Sequence, residues 1–251
     1  MLKKTMYYIL ISMVVGFLIS QAVNAATNLP GNADNPVITK SYANKVFQPL
    51  KDQIAFLQGE IAKLKEKSEL GNKPKFTDVP ITHWAFRDIQ FMVDNGVISG
   101  LGAGKFGPSN PARRCELAVM LVKALKLSTT DIEGDFKDVP KGHWAYAQIA
   151  AAQKAGVISG FPGGLFKPNE YVTRGQMAAM IARAYSLQRN SSAVDFKDVT
   201  TDYWAYEAIQ KLADNKITKG YEDLTFRPKD PVRRGEVAVF LTKALDPSRR
   251  I

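Results

Sequence analysis

A spacing of 60 residues relates three successive segments of this chain, and no insertion or deletion interrupts it. The positions that keep one residue type in all three copies include Phe76, Phe136 and Phe196; Asp78, Asp138 and Asp198; Trp84, Trp144 and Trp204; Gly100, Gly160 and Gly220; Phe106, Phe166 and Phe226; and Arg114, Arg174 and Arg234. A fixed period is typical of a supersecondary unit that has been copied and whose copies pack on each other. Because a unit of about 60 residues buries too little surface to be secure alone, we expect the three copies to share one core.

Each copy has the same internal pattern. A Phe-x-Asp-Val segment leads into a predicted helix that starts near the repeated tryptophan. A loop containing glycine and proline follows, and a second helix is predicted to begin at about the repeated arginine. Helix, loop and helix, three times over, predicts an all-α domain with repeats at 74–130, 134–190 and 194–248.

The segment before the repeats has the pattern of an export signal. Lys3 and Lys4 precede an apolar run that ends at Ile19, and the small residues up to Ala25 suit a signal peptidase, so residues 1–25 are predicted to be a signal peptide. An uncleaved membrane anchor is the alternative, but the run is shorter than the roughly 20 residues that a spanning helix needs. Residues 26–44 contain Pro, Gly and Asn in high proportion and are interpreted as a disordered lead-in.

Residues 45–70 have the spacing of a coiled-coil helix. Apolar residues follow one another at alternating steps of three and four: Phe47, Leu50, Ile54, Leu57, Ile61 and Leu64. So short a helix is marginal alone, so it either pairs with another chain or docks on the repeats, and both alternatives stand. Gly71, Asn72 and Pro74 are expected to end the helix and to form a hinge.

Charge and cysteine content limit the partners. The formal net charge of +10 falls to +8 without Lys3 and Lys4, since 34 minus 2 basic residues then face 24 acidic ones. A basic exported protein is attracted to polyanions such as cell-wall polymers and lipid phosphates, and the sequence has no nucleic-acid-binding signature. Cys115 is the one cysteine, so no internal disulfide is expected. Because glycine occupies its position in the other two copies, Cys115 is predicted to be a buried structural thiol.

The repeated arginines stand where the second helices begin. The first turn of a helix has unpaired N–H groups and a partial positive charge, and a guanidinium adds a planar set of donors for carboxylate or phosphate. Arg114, Arg174 and Arg234 therefore predict three anion sites. The alternative is that each arginine pairs with an acidic neighbour such as Glu116 or Glu236 and needs no ligand.

The repeated tryptophans and aspartates suggest a sugar ligand. An indole offers a flat apolar face and one N–H donor, which suits a sugar ring, although a periodic tryptophan is also often a core residue. The aspartates could accept hydrogen bonds from sugar hydroxyls. A role in capping a helix or pinning the backbone is an equally good interpretation.

Metal binding and catalysis have little support in the sequence. His83 and His143 are not interpreted as metal ligands, because Tyr203 occupies the third equivalent position and no cluster of ligands surrounds them. No cofactor is predicted. A Gly-rich phosphate loop and a Ser/His/Asp set are both lacking in the sequence, so a binding module is favoured over an enzyme.

The copies resemble the S-layer homology (SLH) repeat in three motifs: Phe76-Thr77-Asp78-Val79 with His83-Trp84-Ala85, then Gly160-Phe161-Pro162-Gly163-Gly164-Leu165-Phe166-Lys167-Pro168, then Thr173-Arg174-Gly175-Gln176. The resemblance covers all three copies. It implies a pseudo-threefold spindle in which each repeat gives a helix to a central bundle. It also implies that an anionic, often pyruvylated, secondary cell-wall polysaccharide is held without covalent bonds in grooves between adjacent repeats.

The resemblance implies ligand-binding roles for individual positions. Carried over residue by residue, these are Asp78, Trp84, Arg114, Asp138, Trp144, Gly163, Gly164, Arg174, Asp198, Trp204 and Arg234. The copies are unequal, because repeat 1 has Leu101-Gly102-Ala103-Gly104 where the family prefers an aromatic residue and an aspartate. Repeat 3 has Lys216 and Leu224 in place of glycines. One or two grooves are therefore expected to bind weakly.

The sequence thus predicts a secreted, non-enzymatic protein of the cell wall or cell surface that attaches through its three repeats to an anionic wall polysaccharide. Because the chain ends soon after Leu245, no catalytic domain is expected. The alternative is a structural or adaptor protein whose main role is to form a homo-oligomer, or to recruit a partner, through the coiled coil.

Overall fold

A computed structural model of the chain describes residues 40–190 and 194–250, and it divides into two compact units, 1–71 and 72–251. The predicted signal peptide and residues 26–39 of the predicted lead-in lie outside the described residues. Among the helices that the structure does describe, none combines the length and the apolar character needed to cross a membrane.

Helix α1 spans Lys40–Asn72 and forms the described part of the first unit. It begins five residues before the predicted segment of 45–70 and takes in residues 40–44, which the composition had placed in the lead-in. The helix continues through Pro49. Along the predicted seam the side chains of Phe47, Ile54 and Leu57 are exposed, so the coiled coil stays a prediction.

The second unit consists of six α-helices and one short 3₁₀ helix in its described part. The α-helices are α2 (Phe86–Asp94), α3 (Arg114–Leu125), α4 (Tyr146–Lys154), α5 (Arg174–Ala184), α6 (Tyr206–Asp214) and α7 (Arg234–Leu245), and the 3₁₀ helix is Pro247–Arg249. Within these described residues strand pairing is limited to isolated bridges, which confirms the all-α class. The predicted starts of the second helices at the repeated arginines are confirmed, whereas the first helices begin two residues after each tryptophan.

The helices of neighbouring copies pack on each other in a cycle. The second helix of each copy contacts the first helix of the next: α3 packs on α4, α5 on α6, and α7 on α2. The three second helices α3, α5 and α7 also contact one another. The helix pairs are therefore offset by half a repeat from the copies in the sequence.

Three backbone hydrogen bonds close the same cycle just before the second helices. The Ala112 N–H donates to the Val232 carbonyl, the Val232 N–H to the Val172 carbonyl, and the Val172 N–H to the Ala112 carbonyl, each at 2.9 Å. All three side chains are fully buried in a core that includes residues from every copy. The prediction of one shared core is confirmed, and the spindle shape stays a prediction.

Candidate functional site

The repeated arginines are buried at the contacts between copies. Arg114, Arg174 and Arg234 are 2%, 4% and 3% exposed, although the anion-site hypothesis expected them to be open to ligand. Each Nε donates to the carbonyl of the buried phenylalanine in the next copy. The three bonds are Arg114 to Phe166 at 2.8 Å, Arg174 to Phe226 at 2.8 Å, and Arg234 to Phe106 at 3.0 Å. Each guanidinium also lies within 4.9 Å of that phenylalanine ring's centroid.

The Nη1 atoms of the arginines reach a side chain of the next copy. Arg174 pairs with Glu236 at 2.7 Å and Arg234 with Glu116 at 2.9 Å. Arg114 meets a neutral partner, the Oε1 of Gln176, at 3.1 Å. Burial lowers the pKa of Arg114 to about 10, against the opposing effect of Glu170 and Asp138. The acidic partners that the sequence suggested are therefore the ones used, but each pair joins two different copies.

The first N–H groups of the second helices are not free for an anion. In α5, the N–H of Arg174 donates to the Asp230 carbonyl and that of Gly175 to the Pro228 carbonyl, both at 2.9 Å. The same pair of bonds forms at the starts of α3 and α7 with the loops of their next copies. Because these N–H groups already donate to backbone carbonyls, an anion at this place must be bound by side chains.

The repeated aspartates hold the loops through the backbone. Asp138 accepts the N–H of Phe166 at 2.8 Å and that of Lys167 at 2.6 Å, one on each carboxylate oxygen. Asp78 and Asp198 make the equivalent pairs of bonds. Burial raises the pKa of Asp78, but the two backbone bonds outweigh it and the pKa lies below its ordinary value. These contacts favour the backbone-pinning interpretation of the aspartates over sugar recognition.

The repeated tryptophans remain largely in solvent. Trp84, Trp144 and Trp204 are 63%, 64% and 61% exposed. An indole at a fixed position with most of its surface exposed does not contribute a core side chain, so the core interpretation of these residues is not supported.

The glycines of the loops set the backbone path. Gly163 and Gly164 have φ of 86° and 75°, the left-handed region that favours glycine, and they form the turn of the repeat 2 loop. At Gly100 a Cβ atom would lie 2.6 Å from the Phe76 ring and 2.7 Å from the Lys105 carbonyl oxygen. The repeated glycine therefore permits a close approach that no larger residue allows.

One groove combines residues of all three copies. A cavity of about 990 Å³ is bordered by Trp84 of repeat 1, Arg174 of repeat 2, and the loop and second helix of repeat 3. We call it the Arg174 groove. The Tyr221 ring centroid lies 4.8 Å from the Arg174 guanidinium and 4.0 Å from that of Arg227, so an aromatic residue lies beside two cations.

A smaller groove repeats this arrangement one copy earlier. A cavity of about 230 Å³, the Arg114 groove, is bordered by Arg114 of repeat 1, Phe161 and Arg183 of repeat 2, and Trp204 of repeat 3. The Phe161 ring centroid lies 4.7 Å from the Arg114 guanidinium and 4.8 Å from the Lys167 ammonium. Repeat 1 has Leu101 and Gly107 at these two loop positions, so it has neither the aromatic residue nor the cation.

Sequence reasoning missed a set of basic residues that border the grooves. Lys243 lines the Arg174 groove and Arg183 the Arg114 groove, and Lys123 holds the equivalent position in repeat 1. The signal was available, because a basic residue recurs there at the period of 60. Arg227 and Lys219 also line the Arg174 groove, but their counterparts differ between copies, so periodicity did not reveal them.

Other groups of the described residues offer no further chemistry. Cys115 is 1% exposed, and burial, with Glu116 adding to it, raises the pKa of its thiol to about 11, as a structural cysteine requires. Within the described residues no group of three or more His, Cys, Asp or Glu side chains is placed to hold a metal ion.

Comparison with known proteins identifies the repeats. The model of the S-layer homology domain matches residues 75–118, 135–178 and 195–238. The chain belongs to the S-layer homology domain family. The three matches lie inside the ranges predicted for the three repeats.

Relatives carry the same region within longer chains. The S-layer protein sap of Bacillus anthracis is 36% identical over 172 residues, which cover 67% of this chain and 21% of that protein. An endoglucanase of Bacillus sp. (strain KSM-635) is 34% identical over 178 residues, 68% of this chain and 18% of the endoglucanase. The cell surface glycoprotein 1 of Acetivibrio thermocellus is 29% identical over 202 residues, 73% of this chain and 9% of that protein. The chain thus spans about a fifth or less of the length of these relatives.

Proposed function

We propose that the three SLH repeats attach this protein, without covalent bonds, to the bacterial cell wall by binding an anionic secondary cell-wall polysaccharide in the grooves between copies. Membership of the S-layer homology family, and relatives named as S-layer and cell surface proteins, support attachment at the cell surface. A pyruvylated polymer is the ligand that the family resemblance implies.

One observation carries the choice of ligand. Each of the two grooves combines an exposed indole from one copy with cationic side chains from others, as in Trp84 with Arg174 and Trp204 with Arg114. The indole face suits the C–H face of a sugar ring, and the cations suit a carboxylate on the same sugar. The combination favours an acidic sugar over a neutral glycan or a simple anion.

The two named arginines contribute differently to such binding. The Arg114 Nη2 donates weakly to the Ser159 carbonyl at 3.4 Å, while the Nη2 of Arg174 has no hydrogen-bonding partner among the described residues. Arg174 therefore offers a donor to a ligand while its Nε and Nη1 hold the copies together. We infer that Arg174 serves both assembly and binding.

Retention follows from the number of sites. Linked sites raise the effective concentration of each for a repeating polymer, so modest affinity in each groove gives durable attachment. Catalysis has no place in this proposal, because the region shared with the endoglucanase amounts to 18% of that enzyme and matches the S-layer homology domain. We infer that the chain is secreted and resides at the cell wall.

Substitution of the exposed indoles tests the proposal. The full chain, with Trp84→Ala and Trp204→Ala singly and together, is incubated with purified cell walls before and after removal of the non-peptidoglycan polymer. We expect the double variant to lose most wall binding, and the wild type to lose binding to stripped walls. Ile81→Ala removes another apolar side chain that is 53% exposed and serves as the control. Undiminished binding to stripped walls, or by the double variant, contradicts the proposal.

A second function is favoured by the exposed seam of α1. Ile54 and Leu57 are 46% and 37% exposed on one face of a long helix, as expected of side chains that another copy covers. We propose self-association through this seam as the alternative function. Leu57→Glu should lower the mass in solution measured by sedimentation, whereas Ala62→Glu, on the outer face in the heptad pattern, should not. Equal masses for both variants and wild type contradict it.

A further inference from the structure

The Arg174 groove contains the loop of repeat 3, which differs from the loops of repeats 1 and 2 in the residue that precedes the repeated glycine. Ser99 and Ser159 hold this position in repeats 1 and 2, and Lys219 holds it in repeat 3. The serine carbonyls accept the Nη2 of Arg234 at 2.9 Å and of Arg114 at 3.4 Å. Arg174 lacks this bond, so the change to lysine accompanies a guanidinium that is left partly free.

We propose that Lys219 and Lys243 form a second anion-binding position in the Arg174 groove, beside Arg174, so that this groove binds a polysaccharide segment carrying two negative groups. The inference rests on the proposed wall-binding function and adds to it a preference for a doubly charged ligand. The two groups would be carboxylates or phosphates on the same or adjoining sugars.

The charges that border the groove support this assignment. Five cations line the cavity, Arg174, Lys219, Arg227, Arg233 and Lys243, against the two acids Asp230 and Glu236. Arg227 also pairs with Asp223 at 2.9 Å, so the excess of positive charge is 5 − 3 = +2. One of the acids is already committed, because Glu236 accepts from Arg174, from the Tyr221 hydroxyl and from a backbone N–H. An unbalanced cluster of cations around a cavity attracts anions.

The two lysines border the same cavity, and neither forms a salt bridge with any of the described residues. Burial lowers the pKa of Lys243, the Asp88 carboxylate opposes this, and the charge of Lys219 adds to the lowering. Neither ammonium donates a hydrogen bond to any of the described residues. A bound anion beside Lys243 would add to the effect of Asp88, which by itself does not offset the cost of burying the charged ammonium.

Arg227 adds a cation that repeat 1 lacks and that repeat 2 matches with Lys167. It adopts φ of 59°, a conformation that favours glycine, and Gly107 holds the position in repeat 1. A basic side chain is thus kept where the backbone disfavours one. The Arg227 guanidinium lies over the Tyr221 ring, which also faces Arg174, and it pairs with Asp223 at 2.9 Å.

The sister copies supply the test. Lys219→Ser installs the residue that repeats 1 and 2 use, and Lys219 is exposed, so the fold should persist. Lys229→Ser removes the same charge from an exposed position outside the groove lining and is the matched control. The probes are the polysaccharide released from purified cell walls and glucuronic acid, which has a single carboxylate. Affinities are measured by calorimetry on the full chain over a series of NaCl concentrations.

We expect Lys219→Ser to weaken polysaccharide binding about fivefold at low salt and to flatten its salt dependence, because one ion pair is lost. Binding of glucuronic acid should change less than about twofold, since Arg174 is intact. An unchanged affinity and salt slope in Lys219→Ser, or an equal loss in Lys229→Ser, overturns the second anion position. Failure of the wild type to bind the polysaccharide would instead contradict the proposed function itself.

Discussion

The three buried arginines, which we call the ring, keep one residue type in all copies. The position that precedes the repeated glycine, which we call the rim, does not. Arg114, Arg174 and Arg234 are identical, buried, and make the same bond to the next copy. The rim position beside them is Ser99, Ser159 or Lys219, and it differs in chemistry. Identity between copies therefore accompanies the contacts that hold the assembly together, whereas the difference lies at the position that we propose for ligand binding.

The tryptophans are the exception that sharpens this comparison. They are as repetitive as the arginines but more than 60% exposed. Since the shared core does not need them, their repetition is best explained by a surface role that all copies share. Substitutions in the ring should lower the stability of the fold, whereas substitutions of exposed groove residues should leave it nearly unchanged.

The largest effect is expected in the ring. Arg174→Ala removes the cationic partner of Glu236, which keeps the Tyr221 hydroxyl and a backbone N–H as donors. The Phe226 carbonyl also loses the Arg174 Nε donor. Removing one partner of a buried ion pair costs about 3 to 5 kcal/mol, so we expect a loss of that size in urea unfolding. Arg87→Ala, on the exposed surface, is the control. Wild-type stability in Arg174→Ala would show that the ring does not hold the copies together. The same variant would lose wall binding through unfolding, so it is a poor test of ligand contact.

A smaller effect is expected where an aspartate pins a loop. Asp138→Asn keeps the size of the side chain but replaces one acceptor of the Phe166 and Lys167 N–H groups by an amide donor. We expect the free energy of unfolding to fall by about 1 to 3 kcal/mol. Asp135→Asn changes an exposed carboxylate in the same segment and should leave it nearly unchanged. Equal stability of the two variants would show that Asp138 does not stabilise the fold through its loop contacts.

The same contacts predict a dependence on pH. The folded pKa of Asp78 lies below its ordinary value of 3.8, so its contribution is complete above that value and is lost as pH falls through the folded pKa. Asp78→Asn lacks this contribution at every pH. Urea midpoints of wild type and variant should therefore differ by a constant amount above about pH 5 and should converge as the pH falls from about 4 to about 2. Parallel curves over this range would contradict the assignment.

The smallest effect on stability is expected at an exposed indole. Trp144→Ala should change the free energy of unfolding by less than about 0.5 kcal/mol, because the side chain is 64% exposed. Phe166→Ala, fully buried in the same copy, should cost about 3 to 5 kcal/mol. A loss above about 2 kcal/mol in Trp144→Ala would place the tryptophan in the assembly with the arginines.

Much of the fold was predictable from the sequence because it depends on local signals. The repeated arginine marks the first residue of each second helix, and Thr173 with Gln176, three residues later, forms a capping box at the start of α5. The single core followed from the size of one copy. The start of α1 at Lys40 was missed, because composition placed residues 40–44 in the lead-in.

The burial of the arginines and their partners could not be predicted, because the contacts join residues that are far apart in the sequence. Arg234 bonds to Phe106, 128 residues away, and pairs with Glu116, 118 residues away. Nothing local in either segment indicates the other. The difference at Lys219 was visible in the sequence, but its meaning required the Nη2 bonds of the sister copies.

The cyclic packing also constrains how such a region can evolve. Because α7 is covered by α2, the last copy supplies the surface that the first copy needs. Loss of 60 residues by recombination would leave two second helices that must close a circle built for three, and two of the three buried backbone hydrogen bonds would be lost. We therefore expect the three copies to be retained together, whereas a single groove can change by point substitution without disturbing the cycle.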